Sequence, residues 1–185
     1  DTDYIDIYQF HSGTNKDFMN ENLWSYLNKK VDEGKIKSLG VSIAHNLVEE
    51  NDNLQVELSK DYGVGVIQTV YNRLSRQSEK SIFPLCEKSN FGVIGRVPLA
   101  KGFLSGKYNT KHIFHSEDHR SKFGSNANNS LLSRVDILRS EVPNGIPMSQ
   151  WALSWCLKNK LVSMVIPGAK NISQLESNAQ ASQYV

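Results

Sequence analysis

Cysteine is scarce in this 185-residue chain: Cys86 and Cys156 stand far apart with no CxxC spacing. That excludes a disulfide framework and a zinc knuckle, and leaves reduced packing thiols. An excess of one charge is also missing, since 21 Lys and Arg against 19 Asp and Glu leave a formal +2 spread along the chain. No concentrated basic surface exists to neutralise a phosphate backbone, so nucleic acid is not an expected partner. No apolar run approaches the roughly 20 residues that span a bilayer. The polar opening Asp1-Thr2-Asp3 has no signal-peptide character, so no membrane is expected and the chain reads as soluble and cytoplasmic. With 39% hydrophobic and 22% charged residues, neither disorder nor a fibrous protein fits. GxGxxG, the usual mark of a doubly wound nucleotide-binding sheet, is absent too.

What is present is one unit repeated. Tyr4 to Phe10 is β-branched and aromatic and ends at the turn Ser12-Gly13-Thr14-Asn15, which predicts a strand. Leu23, Tyr26, Leu27 and Val31 then recur at three- and four-residue steps ahead of Gly34, which predicts an amphipathic helix and its C-cap. Strands follow at Ile36 to Ser42, Val64 to Val70, Phe91 to Val97 and Val162 to Ile166. Helices are predicted at Leu47 to Leu58, Ile82 to Ser89, around Trp151 to Leu157, and at Ile172 to Ala181. Between Pro98 and about Pro147 lies a long insertion. Its stretch from Tyr108 to Ser130, rich in Asn, Ser and Lys, reads as an exposed loop. His112, His115 and His119 fall in that loop. Three imidazoles on one helical face can bind zinc, but in this setting no metal site is expected.

Strands separated by helical crossovers imply a parallel sheet covered by helices. An eight-stranded barrel places its chemistry at the C-terminal ends of several strands. The polar residues closing these strands are His11, Ser42, Gln68 with Asn72, and Arg96. The fold class is therefore α/β, a (β/α)8 TIM barrel. A complete barrel takes about 250 residues, so this chain supplies about five βα units. It is expected to form one partial barrel domain over 1–185, with a long loop at about 108–147.

At these strand ends the sequence resembles the aldo-keto reductases. The resemblance runs through DYIDIYQFH at Asp3 to His11, EGKIKSLGVS at Glu33 to Ser42, IQTVYN at Ile67 to Asn72, PLAKGFLSGKY at Pro98 to Tyr108, ALSWCL at Ala152 to Leu157, and IPGAKNISQLESN at Ile166 to Asn178. Six segments in the family's order look like strands four to eight of its barrel.

The resemblance implies roles for particular residues. His11 matches the substrate-orienting histidine of the family's catalytic tetrad. An imidazole there donates to a carbonyl oxygen as it gains negative charge, although a core histidine satisfied by backbone is the plainer alternative. The other members, an Asp, a Tyr general acid and a Lys, belong to the family's first three βα units; Tyr4, Tyr8 and Lys16 do not occupy their positions. Ser42 and Gln68 match the contacts to the nicotinamide carboxamide. Arg96 stands where many members stack an aromatic residue, and a planar guanidinium also covers a ring face or reaches a pyrophosphate. In the segment after the fourth strand, Pro98, Leu99, Lys101, Gly102, Gly106 and Lys107 would approach cofactor phosphates. Gly168, Ala169, Lys170, Gln174 and Asn178 match the corner that holds the 2′-phosphate and adenine.

The implied function is an NADPH-dependent oxidoreductase reducing aldehydes or ketones to alcohols, seen here without its N-terminal catalytic residues and inactive alone. A small carbonyl compound is the expected substrate, and the open barrel edges suggest self-association. One alternative is a non-catalytic nucleotide-binding relative like the potassium-channel β-subunits of the same family. Another is a self-contained α/β module without reductase function.

Overall fold

β-branched runs alternating with amphipathic stretches build the expected succession of elements. The computed structural model describes residues 2–185, and Asp1, first of the polar opening residues, lies outside the described residues. In chain order they are β1 (Ile5–His11), α1 (Asn15–Phe18), α2 (Glu21–Asp32), β2 (Ile36–Ser42), α3 (His45–Glu49), α4 (Leu54–Leu58), β3 (Val64–Val70), α5 (Phe83–Ser89), β4 (Gly92–Arg96), α6 (Ser125–Leu138), α7 (Met148–Leu157), β5 (Val162–Ile166) and α8 (Ile172–Gln180). The five strands form one sheet in the order β1-β2-β3-β4-β5, every pair parallel. A doubly wound sheet reverses its order at a switch point, whereas a barrel keeps sequential order. The sheet is sequential throughout.

Two compact units emerge. Among the described residues, the first comprises 2–71, 75–96 and 159–166, and contains the whole sheet. One face of that sheet is a ladder of apolar residues in register, Phe10 opposite Val41, Val41 opposite Ile67, and Ile67 opposite Val93. The last three are fully buried. α2 begins at Asn20, whose side chain accepts from the Leu23 amide at 3.3 Å, and it buries Trp24 and Leu27. Trp24 stacks on Tyr62 and meets Phe18 edge to face, while its indole N–H donates to the Phe18 carbonyl. Burying a side chain such as Phe18 or Leu27 stabilises the fold by about 1.5–3 kcal/mol each. The helix predicted across Leu47 to Leu58 is instead two short ones. Asn51 turns left-handed at φ 57° between them, and Asp52 accepts from the Leu54 amide to start the second.

The second unit comprises 72–74, 97–158 and 167–185. Here the expected loop at 108–147 is corrected. A 3-10 turn at His119–Phe123 leads into α6, and Leu132, Val135 and Leu138 bury against Phe103, Leu104 and Trp151. The asparagines that signalled a loop serve the helix: Asn128 is buried and donates to the Arg120 carbonyl at 2.9 Å.

β1 and β5 are the end strands of the sheet. Apolar side chains on both stay open, with Ile5 48% and Tyr8 45% exposed on β1, and Met164 43% and Ile166 46% on β5. No helix among the described residues is long and apolar enough to cross a membrane.

Candidate functional site

In the first unit, strand register decides which polar side chains meet. His11 is opposite Ser42, Ser42 opposite Gln68, Gln68 opposite Ile94, and Val70 opposite Arg96. Since side chains alternate along a strand, His11, Ser42, Gln68 and Arg96 share one face, the one opposite the apolar ladder, at the C-terminal ends of β1 to β4. His11 is exposed in this chain. Ser42 is fully buried and Gln68 nearly so, and Gln68 Nε2 donates to Ser42 Oγ at 2.9 Å. Gln9 continues the chain, its Nε2 donating to Gln68 Oε1 at 3.3 Å, while its own Oε1 is buried without a partner. Arg96 is half-buried, and its Nη2 donates to the Ile43 carbonyl at 3.0 Å. Its Nε is buried and unpartnered, and desolvation lowers the guanidinium's pKa from its ordinary value. An amide-hydroxyl pair with an arginine beside it can hold a planar amide and an adjacent charge or ring.

In the second unit, the segment from Val97 to Gly106 is unusually bent. Val97, Ala100, Lys101, Gly102 and Gly106 all have positive φ, and a β-branched residue such as Val97 takes that conformation only under constraint. Asn72 supplies one constraint by donating to the Val97 carbonyl at 3.1 Å. The Pro98 ring is buried and Leu99 is half-buried, and the Leu99 carbonyl accepts from both the Gly102 and Leu104 amides. The Gly102 amide thus bonds inside the loop. Lys101 is exposed with its ammonium 4.6 Å from the Phe123 ring centroid, and Gly106 and exposed Lys107 line an open groove with Arg139 and Asn144.

At the other end of this unit, Gly168, Ala169 and Lys170 are exposed and lead into α8. Asn171 caps the helix by accepting from the Gln174 amide at 2.9 Å, and Gln174 Oε1 accepts from the Lys170 amide at 2.8 Å. Asn178 Nδ2 reaches the Gly168 carbonyl at 3.4 Å. Lys170, Gln174 and Asn178 therefore converge on one corner, and the Lys170 side chain is left at the surface.

Sequence reasoning passed over two features. Gln9 is on the same face as His11, two residues away, and strand alternation alone carries that signal. Arg120 is buried between the Tyr108 and Phe114 rings and pairs with Asp118, while donating to the Tyr108 hydroxyl. That pairing holds the Asp118 carboxyl well below the usual carboxylate range. His112 packs on Tyr108 and Phe114. Among the described residues, no three His, Cys, Asp or Glu side chains gather as a metal site. Burial pushes the Cys86 and Cys156 thiols up to about 12.

Known proteins are similar to this chain in sequence and fold. The sequence profile of the aldo/keto reductase family matches residues 1–185. An L-glyceraldehyde 3-phosphate reductase of Escherichia coli K12 is 31% identical over 97% of this chain and 54% of its own length. A relative in Arabidopsis thaliana, named as a probable voltage-gated potassium channel subunit beta, is 29% identical over 98% of the chain and 57% of its own length. The structure of a glycerol dehydrogenase from Gluconobacter oxydans superposes with a TM-score of 0.77 at 27% identity, over 95% of this chain and 52% of that one. The chain spans about half the length of the curated relatives it matches. With the profile matching every residue and the sheet keeping the barrel order, the chain belongs to the aldo/keto reductase family.

Proposed function

We propose that this chain is the C-terminal part of an NADPH-dependent reductase of aldehydes or ketones. The observation that carries the reading is the hydrogen-bonded pair of Gln68 and Ser42 at adjacent strand ends, flanked by exposed His11 and half-buried Arg96. Its donors and acceptors fit a nicotinamide carboxamide, and the half-buried guanidinium of Arg96 suits an electron-rich ring or an anion. Within the second unit, the corner of Gly168, Ala169 and Lys170, with Gln174 and Asn178 folded back on it, has the donors and the positive charge that a 2′-phosphate and adenine need. Pro98, Leu99, Gly102 and Gly106 shape a bent backbone for its phosphates, and Lys101 and Lys107 supply positive charge.

When bound, NADPH supplies a hydride to the carbonyl carbon. The chain's own residues then do three things. Ser42 and Gln68 would hold the carboxamide, Arg96 would lie beside the ring, and His11 would donate to the carbonyl oxygen as negative charge develops there. The proton that completes the alcohol comes from a Tyr in the family's N-terminal βα units, so these 185 residues alone are inactive. We place the protein in the cytoplasm, where its buried thiols stay reduced.

The Arabidopsis relative supports a second reading, a regulatory nucleotide-binding protein without turnover. Co-expression with a polypeptide carrying the first three βα units of an aldo-keto reductase tests both, following NADPH oxidation with a simple aromatic aldehyde. Oxidation that depends on both pieces is expected. Cofactor binding without oxidation favours the regulatory reading. The exposed apolar edges of β1 and β5 are expected to make the chain alone self-associate in sedimentation; a monomer at all concentrations contradicts that.

A further inference from the structure

The Gln9-Gln68-Ser42 chain has a direction, and the direction has a chemical consequence. A side-chain amide is nearly symmetric in shape, so packing alone does not fix which end is oxygen and which is nitrogen; its hydrogen-bond partners do. Gln9 gives an N–H to Gln68 Oε1 at 3.3 Å, which turns Gln68 Nε2 towards Ser42 Oγ at 2.9 Å. Gln9 is itself held in place. It lies over Gly40 on the neighbouring strand, where a Cβ would stand 2.9 Å from Gln9 Cγ and 3.3 Å from the Val66 carbonyl oxygen. The glycine leaves room for the glutamine.

We infer that Gln9 is a positioning residue, which sets the polarity of the Gln68 amide and through it the way the site receives a primary amide. Ser42, accepting from Gln68, keeps its own hydroxyl proton to donate. Gln68 Oε1 retains a second lone pair to accept. The pair thus presents one donor and one acceptor in fixed order, matching the C=O and NH2 of a carboxamide and disfavouring a ring that carries a group without N–H. The inference rests on the proposed cofactor reading for the ligand, but not for the direction of the chain.

Two measurements separate these. In the cofactor-free chain, nitrogen-resolved NMR reads proton exchange of the Gln68 side-chain amide. Exchange is expected to be slow in the wild type and in Gln9→Glu, where the introduced carboxylate pulls Nε2 to itself. It is expected to be at least several-fold faster in Gln9→Met, which has the same length and no donor. The second measurement is the ratio of dissociation constants for NADPH and its 3-acetylpyridine analogue, which lacks the amide N–H. The wild type should favour NADPH by about tenfold, the worth of one hydrogen bond left unmade. Both variants should lose that preference, Gln9→Glu despite its slow exchange. A merely structural glutamine would not tie exchange to ligand preference in this way. Unchanged exchange and an unchanged ratio in Gln9→Met overturn the inference. A wild type that binds neither cofactor overturns the proposed function instead, and the exchange measurement still decides the role of Gln9.

Discussion

The guanidinium of Arg96, at the end of β4, donates from Nη2 to the carbonyl oxygen of Ile43, one residue past the end of β2, at 3.0 Å. The order of the sheet puts β3 between those strands, so Arg96 bridges over the end that carries Gln68. Among the described residues it pairs with no carboxylate, and its Nε is buried without a partner. A half-desolvated cation in that state adds little to stability and is available to a ligand. Arg96→Met should therefore leave the melting temperature within a few degrees while weakening NADPH. A charged hydrogen bond is worth about 1.5–3 kcal/mol, or one to two decades in Kd. A variant that melts far lower and binds normally would make Arg96 a structural tie.

His11 is exposed at the end of β1, next to the buried Ser42 in register. If it steadies the developing oxyanion, His11→Ala should lower kcat/KM by about 10² in the complemented reductase, with NADPH affinity unchanged. Full turnover in the variant would remove the proposed role.

Lys170 presents its side chain from a corner that Gln174 and Asn178 hold in shape. Lys170→Glu should weaken NADPH by one to two decades, about 1.5–3 kcal/mol, and leave NADH nearly untouched. Fluorescence titration of both cofactors checks this, and equal weakening would place Lys170 away from the 2′-phosphate.

The Asp118 carboxylate is held below its ordinary pKa chiefly by its hydrogen bonds to the Arg120 side chain and then to the Arg120 backbone amide. A depressed folded pKa means that the unfolded chain takes up the proton first. The pair's contribution is complete above the unfolded carboxylate value, near pH 4, and is lost as pH falls from there towards the folded value. Asp118→Asn should lower the melting temperature at pH 7 and make less difference at pH 3. A difference that is the same at both pH values would show that the ion pair does not carry the effect.

β-branched and aromatic runs made all five strands legible, three- to four-residue spacing made the helices between them legible, and the strand ends pointed to His11, Ser42, Gln68 and Arg96. Long-range burial was not legible. Ser125 to Ser130 has loop composition, yet α6 forms there because Leu132, Val135 and Leu138 find Phe103, Leu104 and Trp151. The break at Asn51 was hidden for a related reason: Leu47, Leu54 and Leu58 keep helical spacing across a left-handed residue. Strand alternation puts Gln9 on the face of His11, but its hydrogen-bond partner Gln68 is 59 residues away, which no local window contains.

Fluorescence titration of NADPH into the purified chain checks cofactor binding by these residues. Saturable binding is expected, tighter for NADPH than for NADH and weaker in Arg96→Met and Lys170→Glu. Absence of saturable binding, or binding indifferent to both substitutions, would contradict it.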